Sequence, residues 1–169
     1  LEDGNIAEKG EGEVLLHDPA LMSAYWNDPD STAAAFHGSW FRTGDIGEIG
    51  ANRELRILGR LKHQINRAGI KVTAEEIELL LEQHPEVQDV CAFGLPDAVS
   101  GEVVAAAVVP KNGCRIPEST LQAWCAERLR REAVPSRIVF LTDIPRNERG
   151  KKVRSEVRAK VSALIGREV

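Results

Sequence analysis

The chain is short of cysteine, of aromatic residues and of long apolar runs, and each shortage narrows what it can be. Its three cysteines, Cys91, Cys114 and Cys125, form no Cys-x-x-Cys pair and have no histidine at a zinc-ligand spacing. An odd count without a disulfide framework points to a reducing compartment, so a cytoplasmic protein is expected. Cys91 lies in an apolar strand pattern and Cys125 in a helical one, where core thiols are expected rather than nucleophiles. No run approaches the ~20 apolar residues of a bilayer span, and the start has no secretory pattern. There is no excess of positive charge either. A net charge of −4 gives no general attraction to nucleic acid or to an anionic membrane, so any anion binding must be local. Aromatic residues make up 5% of the chain, and Tyr25, Trp26 and Trp40 are concentrated in one stretch, where packing is their expected role.

What is present suits a globular protein of 169 residues, 43% hydrophobic and 28% charged. The run 12–16 reads as a strand, and Ser31-Thr32 as the hydroxyl cap of a helical turn or two. Residues 46–49 and 54–58 read as a hairpin around Gly50-Ala51-Asn52. Then the pattern changes. Thr73 with Glu76 three residues later predicts a capping box, opening an amphipathic helix with Ile77, Leu80 and Leu81 on its apolar face. Runs 87–93 and 103–109 predict two strands, joined by a loop containing Pro96, Asp97 and Gly101. A second helix follows Pro117, a third strand covers 138–141, and Val153, Val157, Val161 and Leu164 stripe a last helix. The order predicts an α+β fold, a small three-stranded sheet with helices packed on it.

Three polar clusters punctuate this pattern. The first is Phe41-Arg42-Thr43-Gly44-Asp45, where a carboxylate past a glycine at the head of a strand can accept two hydrogen bonds from a sugar diol. Taken alone, an ordinary turn aspartate is the commoner explanation. The second, 59–78, is a polar loop bearing Arg60, Lys62, His63, Arg67 and Lys71, with Gly69 free to adopt positive φ or to let a ligand approach. The third is Pro145-Arg146-Asn147-Glu148-Arg149-Gly150-Lys151-Lys152, in which proline fixes the entry and Gly150 a tight turn, so that Lys151 projects from a mobile surface loop. Each cluster alone could be a solvated loop.

In this order around a small α+β domain, the three clusters resemble the C-terminal part of the adenylate-forming superfamily of acyl-CoA and aryl-CoA synthetases, peptide-synthetase adenylation domains and luciferases. The likeness runs from about residue 12 to residue 158. It implies that 1–59 are the β-rich tail of a large N-terminal domain and 60–169 a C-terminal lid domain, with the hinge near Lys62. It also implies that Asp45, Arg60 and Lys71 bind ATP or AMP, that Gly69 and Ala68 line a channel for the pantetheine of CoA, and that Lys151 is the catalytic lysine of adenylation. In the family a carboxylic acid and ATP give an acyl adenylate, and a thiol then displaces AMP.

The implied ligands are ATP, CoA and Mg2+, the metal bound mainly by the N-terminal domain, and fatty acid metabolism is the implied setting. No Gly-rich Ser/Thr phosphate loop occurs in the chain, so it is expected to be a C-terminal fragment, inactive alone. Some ligases of this type carry Lys where Asn66 stands and Gln where Lys71 stands. The run from Lys62 to Arg67 is similar to that of aryl-acid adenylating enzymes, some of which load a carrier protein. The alternatives are therefore a carrier-loading aryl- or amino-acid adenylating enzyme and a non-catalytic, lid-like binding module.

Overall fold

In the computed structural model, which describes residues 6–111 and 114–166, the chain divides into two compact units, Leu1–Lys62 and His63–Val169. The first is built on one long strand. β1 (Gly10–Leu16) runs antiparallel to β3 (Trp40–Ile49), and the short β2 (Phe36–His37) and β4 (Leu55–Arg60) pair with β3 to complete a four-stranded sheet. The hairpin from β3 to β4 turns where Arg53 donates its N–H to the Gly50 carbonyl at 3.0 Å, with Arg53 at φ +62°. β4 outlasts its apolar residues because Gly59 pairs with Ile46 and Arg60 with Asp45.

Two local expectations change in this unit. Helix α1 (Pro29–Ala35) is capped by Asp28, whose carboxylate accepts the Ser31 N–H at 2.9 Å. Proline at the first helical position sets that start. The Thr32 hydroxyl instead donates to the Asp28 carbonyl and accepts the Tyr25 N–H. Of the clustered aromatics, Trp40 packs on His17, ring centroids 5.3 Å apart, but Trp26 is 91% exposed on the turn before Pro29.

The second unit is a five-stranded sheet, two strands more than expected. The extra pair comes from the stretch read as a loop: β5 (Gln64–Arg67) and β6 (Ile70–Thr73) form a hairpin with Ile65 opposite Val72. Both side chains are buried, but a single buried apolar residue on each strand gives no alternating run between the charges. The turn needs positive φ at both central residues, as tight primed hairpins do, and Ala68 (+50°) and Gly69 (+85°) supply it. Helix α2 (Ala74–Glu82) starts at Thr73 as expected, but no capping box forms: Thr73 makes no side-chain cap, its residue being buried at the end of β6.

β7 (Val87–Asp97) and β8 (Gly101–Pro110) pair antiparallel over nearly their whole length. The loop expected to contain Pro96, Asp97 and Gly101 shrinks to a turn at 98–100, because the Asp97 carboxylate accepts the N–H groups of Val99 and Ser100 and the Ser100 hydroxyl. Pro96 is tolerated inside β7 because β7 is an edge strand. After α3 (Glu118–Ala126), β9 (Arg137–Phe140) joins β8 in parallel, and α4 (Arg154–Ile165) follows. The sheet runs β6-β5-β8-β7, with β9 also on β8.

Both faces of this sheet are covered, which is why β7 and β8 read as continuous apolar runs. Val90, Ala92, Val104, Ala106 and Val108 pack under α2 and α3 with Ile77, Leu81, Leu121 and Cys125. The alternate residues Cys91, Phe93, Ala105 and Ala107 pack with Val157 and Val161 of α4. Burial, and to a lesser degree the Glu78 charge, pushes the Cys91 thiol up to about 12, and burial pushes Cys125 up to about 11. Thiolate is the reactive form. At pH 8, therefore, Cys114, which is only half-buried, should be the one thiol that labels with a maleimide in the folded chain. Mass spectrometry of labelled peptides checks this; rapid native labelling of Cys91 would contradict the packing.

Candidate functional site

The chemistry-bearing side chains gather in three places, one on the first unit and two on the second. On the first, the Phe41-to-Asp45 segment is fastened to β1. The Glu13 carboxylate accepts Arg42 Nη2 at 2.8 Å and the Gly44 N–H at 3.2 Å, and the Thr43 hydroxyl donates to the Val14 carbonyl. Gly44 sits at φ +68°, and the next residue presents its carboxylate to β4. Arg60 Nε lies 2.7 Å from Asp45 Oδ1, and Arg60 Nη1 donates to the Thr43 carbonyl at 3.0 Å. Asp45 and Arg60 are thus brought together as a cross-strand pair. One carboxylate oxygen is engaged by the guanidinium, and both side chains are partly open to solvent. Lys62 is exposed in a 3-10 turn (Leu61–His63) where the two units meet in sequence.

On the second unit the Ala68–Gly69 turn is held from three sides. Ala68 N–H donates to the Ser100 carbonyl at 2.7 Å, Gly69 N–H to Asn66 Oδ1 at 3.0 Å, and Asn66 N–H to Glu102 Oε2 at 2.9 Å. A Cβ on Gly69 would meet nothing within 4 Å, so the backbone conformation alone is enough to require glycine there. Lys71 lies on β6 opposite Asn66, and its carbonyl accepts Arg130 Nη2 at 2.6 Å.

The Lys151 turn is more built than a loose loop. Arg146 and Lys152 form a β-bridge at its neck, Asn147 N–H donates to the Lys151 carbonyl at 2.9 Å, and Lys151 N–H donates to Asn147 Oδ1 at 3.0 Å. Gly150, at φ +75°, closes it. Lys151 itself is exposed. Lys152 beside it is only partly exposed. Lys152 Nζ faces Glu82 at 2.9 Å, Asp89 at 3.4 Å and Glu78 at 3.7 Å. Although burial works against its charge, these carboxylates raise the Lys152 pKa. Asp89 is likewise pulled toward neutrality by burial, yet Arg146 and Lys152 hold it below the usual carboxylate range.

Behind the turn lies a group absent from the sequence expectations. Glu78 lies off the apolar face of α2 that carries Ile77, Leu80 and Leu81, yet it is buried. Its Oε1 accepts the Ala92 N–H at 2.8 Å and meets Arg154 Nη2 at 2.5 Å, while Arg154 Nε donates to the Ala92 carbonyl at 2.7 Å. His63 Nδ1 lies 2.9 Å from Arg154 Nη1 and 2.5 Å from Glu75 Oε1, and it can serve only one of them with a given proton. The one available signal was spacing: Glu75, Glu78 and Glu82 recur at helical intervals on a single face.

Among the described residues no cluster of three or more His, Cys, Asp or Glu side chains could hold a metal ion, and no helix is long and apolar enough to cross a membrane. Residues 76–151, which run from α2 to the Lys151 turn, match the family described as the AMP-binding enzyme C-terminal domain. The chain carries an AMP-binding enzyme C-terminal domain. Over 97% of its length it is 41% identical to a long-chain fatty acid–CoA ligase of Mycobacterium tuberculosis, of which it covers 32%. Over 94% it is 37% identical to 2-succinylbenzoate–CoA ligase of Geobacillus kaustophilus, again covering 32%. Among solved structures, the amide bond synthetase McbA of Marinactinospora thermotolerans is similar over 90% of the chain and 31% of its own, at 36% identity and a TM-score of 0.83. The chain thus spans about a third of the length of these relatives.

Within the second unit the two turns sit at opposite ends of the β7–β8 hairpin. The Ala68–Gly69 turn is tied to Ser100 and the Lys151 turn to Asp89, about eight residues or roughly 26 Å apart along β7. The Glu78–Arg154 contact joins α2, β7 and α4. Removing one partner of a buried ion pair strands the other, so Glu78→Gln should cost the second unit about 3 kcal/mol. Urea unfolding followed by Trp124 fluorescence measures it, and a loss below about 1 kcal/mol would show the pair to be dispensable.

Proposed function

We propose that this chain is the C-terminal third of an AMP-forming ligase that activates a carboxylic acid as its acyl adenylate and passes the acyl group to CoA. The carrying observation is that one rigidly packed sheet bears an exposed lysine turn at one end and a glycine turn at the other. The family and the CoA ligases among the relatives support the same reading. A long-chain fatty acid is the substrate class suggested by the relative from M. tuberculosis, and the reducing cytoplasm suits both CoA chemistry and the free thiols.

In the first half-reaction the substrate carboxylate attacks the α-phosphorus of ATP, and the bond to pyrophosphate breaks. Two anions must approach, and the Lys151 ammonium would offset their repulsion and stabilise charge growing on the α-phosphate. Asp45 would accept hydrogen bonds from the ribose diol, with Arg60 fixing the carboxylate's orientation, and Lys71 would contribute positive charge toward the nucleotide. Mg2+ would travel with ATP on the large domain. In the second half-reaction the CoA sulfur attacks the acyl carbonyl, AMP leaves with the bonding pair, and the thiol proton passes to solvent. Ala68 and Gly69 would flank the pantetheine arm.

Two turns roughly 26 Å apart cannot both reach one reacting carbonyl, since groups in reaction stand about 3 Å from each other. Rotation of the small domain near Lys62 would present them in succession. An amine in place of the CoA thiol is the second reading of the acceptor, favoured by the likeness to an amide bond synthetase.

The test uses an intact ligase carrying this chain as its C-terminal third. Lys151→Ala should lower acid-dependent ATP–pyrophosphate exchange about 100-fold, equivalent to ~3 kcal/mol. Thioester formation from preformed acyl adenylate should change less than about twofold. Equal losses in the two assays would refute the assignment. Lys62→Pro, which locks one backbone angle, should slow turnover through both half-reactions in sequence, and a full-speed variant would remove the hinge. Offering CoA and amines to the preformed adenylate decides the acceptor.

A further inference from the structure

We infer that Asp89 is a positioning residue for Lys151, its carboxylate clamping both shoulders of the turn that carries the lysine. The inference rests on the reading of Lys151 as the adenylation lysine. Arg146 Nη2 lies 2.5 Å from Asp89 Oδ2, while Arg146 Nη1 reaches back 2.9 Å to the Gly150 carbonyl at the tip of the turn. On the other shoulder Lys152 Nζ lies 3.4 Å from Asp89 Oδ1. Arg146 and Lys152 are also partners in the β-bridge at the neck. One carboxylate therefore holds both neck residues, and one of them holds the tip. Glu82 touches Lys152 alone, so it holds one shoulder.

The placement of Asp89 is itself built. The pairing of β7 with β8 shifts register between Val87 and Asp89, and such a bulge re-aims a side chain from the regular pleat. Asp89 Oδ1 also accepts the Val90 N–H at 2.9 Å, which fixes its rotamer. Because Lys152 turns inward to the carboxylates, Lys151 beside it is directed away, and it is exposed. The clamp thus sets which of two adjacent lysines faces a ligand. A donor aimed in advance stabilises developing charge without reorganising at the moment of reaction.

Native-state hydrogen exchange on the 169-residue chain reads the clamp directly. In Asp89→Asn the amides of Gly150 and Lys151 should exchange about tenfold faster, while Ala106 in β8 stays within about twofold. Arg146→Gln is the second variant and should do the same if Asp89→Asn does not fold. In the intact ligase, Asp89→Asn should slow pyrophosphate exchange about tenfold and leave thioester formation from preformed adenylate unchanged. It should add nothing on a Lys151→Ala background, because both changes act through one group. Asp89→Glu, which keeps the charge, should recover part of the loss. Unchanged amides at the turn, equal losses in both half-reactions, or additive effects with Lys151→Ala would each overturn the inference. A Lys151→Ala enzyme that adenylates normally would overturn the reading of Lys151 and this inference with it, whereas unchanged turn amides overturn the inference alone.

Discussion

Glu78 places a carboxylate where the sheet, α2 and the start of α4 converge, and Arg154 answers it there. The pair alone would be a poor source of stability, since withdrawing two charges from water costs about as much as their attraction returns. What changes the balance is the backbone. Glu78 takes the N–H of Ala92 and Arg154 gives to its carbonyl, so an edge-strand residue whose outer groups would lack partners is fully hydrogen-bonded. The contact also fixes direction. α4 must begin at Arg154 for its guanidinium to reach Ala92, and the chain just before Arg154 is then held where Lys152 meets the acids of α2 and β7. The position of the Lys151 turn is inherited from that contact.

Much of the second unit was readable because its apolar pattern is strong. The runs from Val87 and from Val103 are too continuous for a surface element, and the helix stripes are regular, so the order α2-β7-β8-α3-β9-α4 follows from periodicity. The β5–β6 hairpin was hidden for a physical reason. Of its eight strand residues only Ile65, Val72 and Thr73 are buried, which is too few to leave an alternating run among the conspicuous charges. The turn residue Ala68 gives no warning either, being an uncommon occupant of positive φ. The capping box failed because burial of Thr73 at the end of β6 governs that position more than the capping preference does.

Site residues divide the same way. Asp45, Arg60, Gly69 and Lys151 were picked out by the resemblance of their three clusters to a family, since each cluster alone reads as a solvated loop or turn. Glu78 and Asp89 were not, because their importance comes from what lies across from them. A glutamate on a helix and an aspartate on a strand read as solvated until the sequence-distant Arg146, Lys152 and Arg154 are brought beside them. Partners separated by 57 to 76 residues leave no local trace.

The same geometry bears on how a chain of net charge −4 can hold one cation exposed at a defined turn. The segment from Arg146 to Arg154 is dense in positive charge, and an unrelieved cluster would repel itself and splay. Three of its cations, Arg146, Lys152 and Arg154, are matched by Asp89, Glu82 and Glu78 from α2 and β7. The matching acids lie behind the turn, partly removed from water, where the interaction is stronger than between solvated charges. Lys151 is left on the solvent side with its charge undiminished by any of these pairs. Acidic residues therefore sharpen the local field instead of cancelling it, because they neutralise the lysine's competitors and fix its backbone. A more basic segment without them would carry more charge and aim it less well.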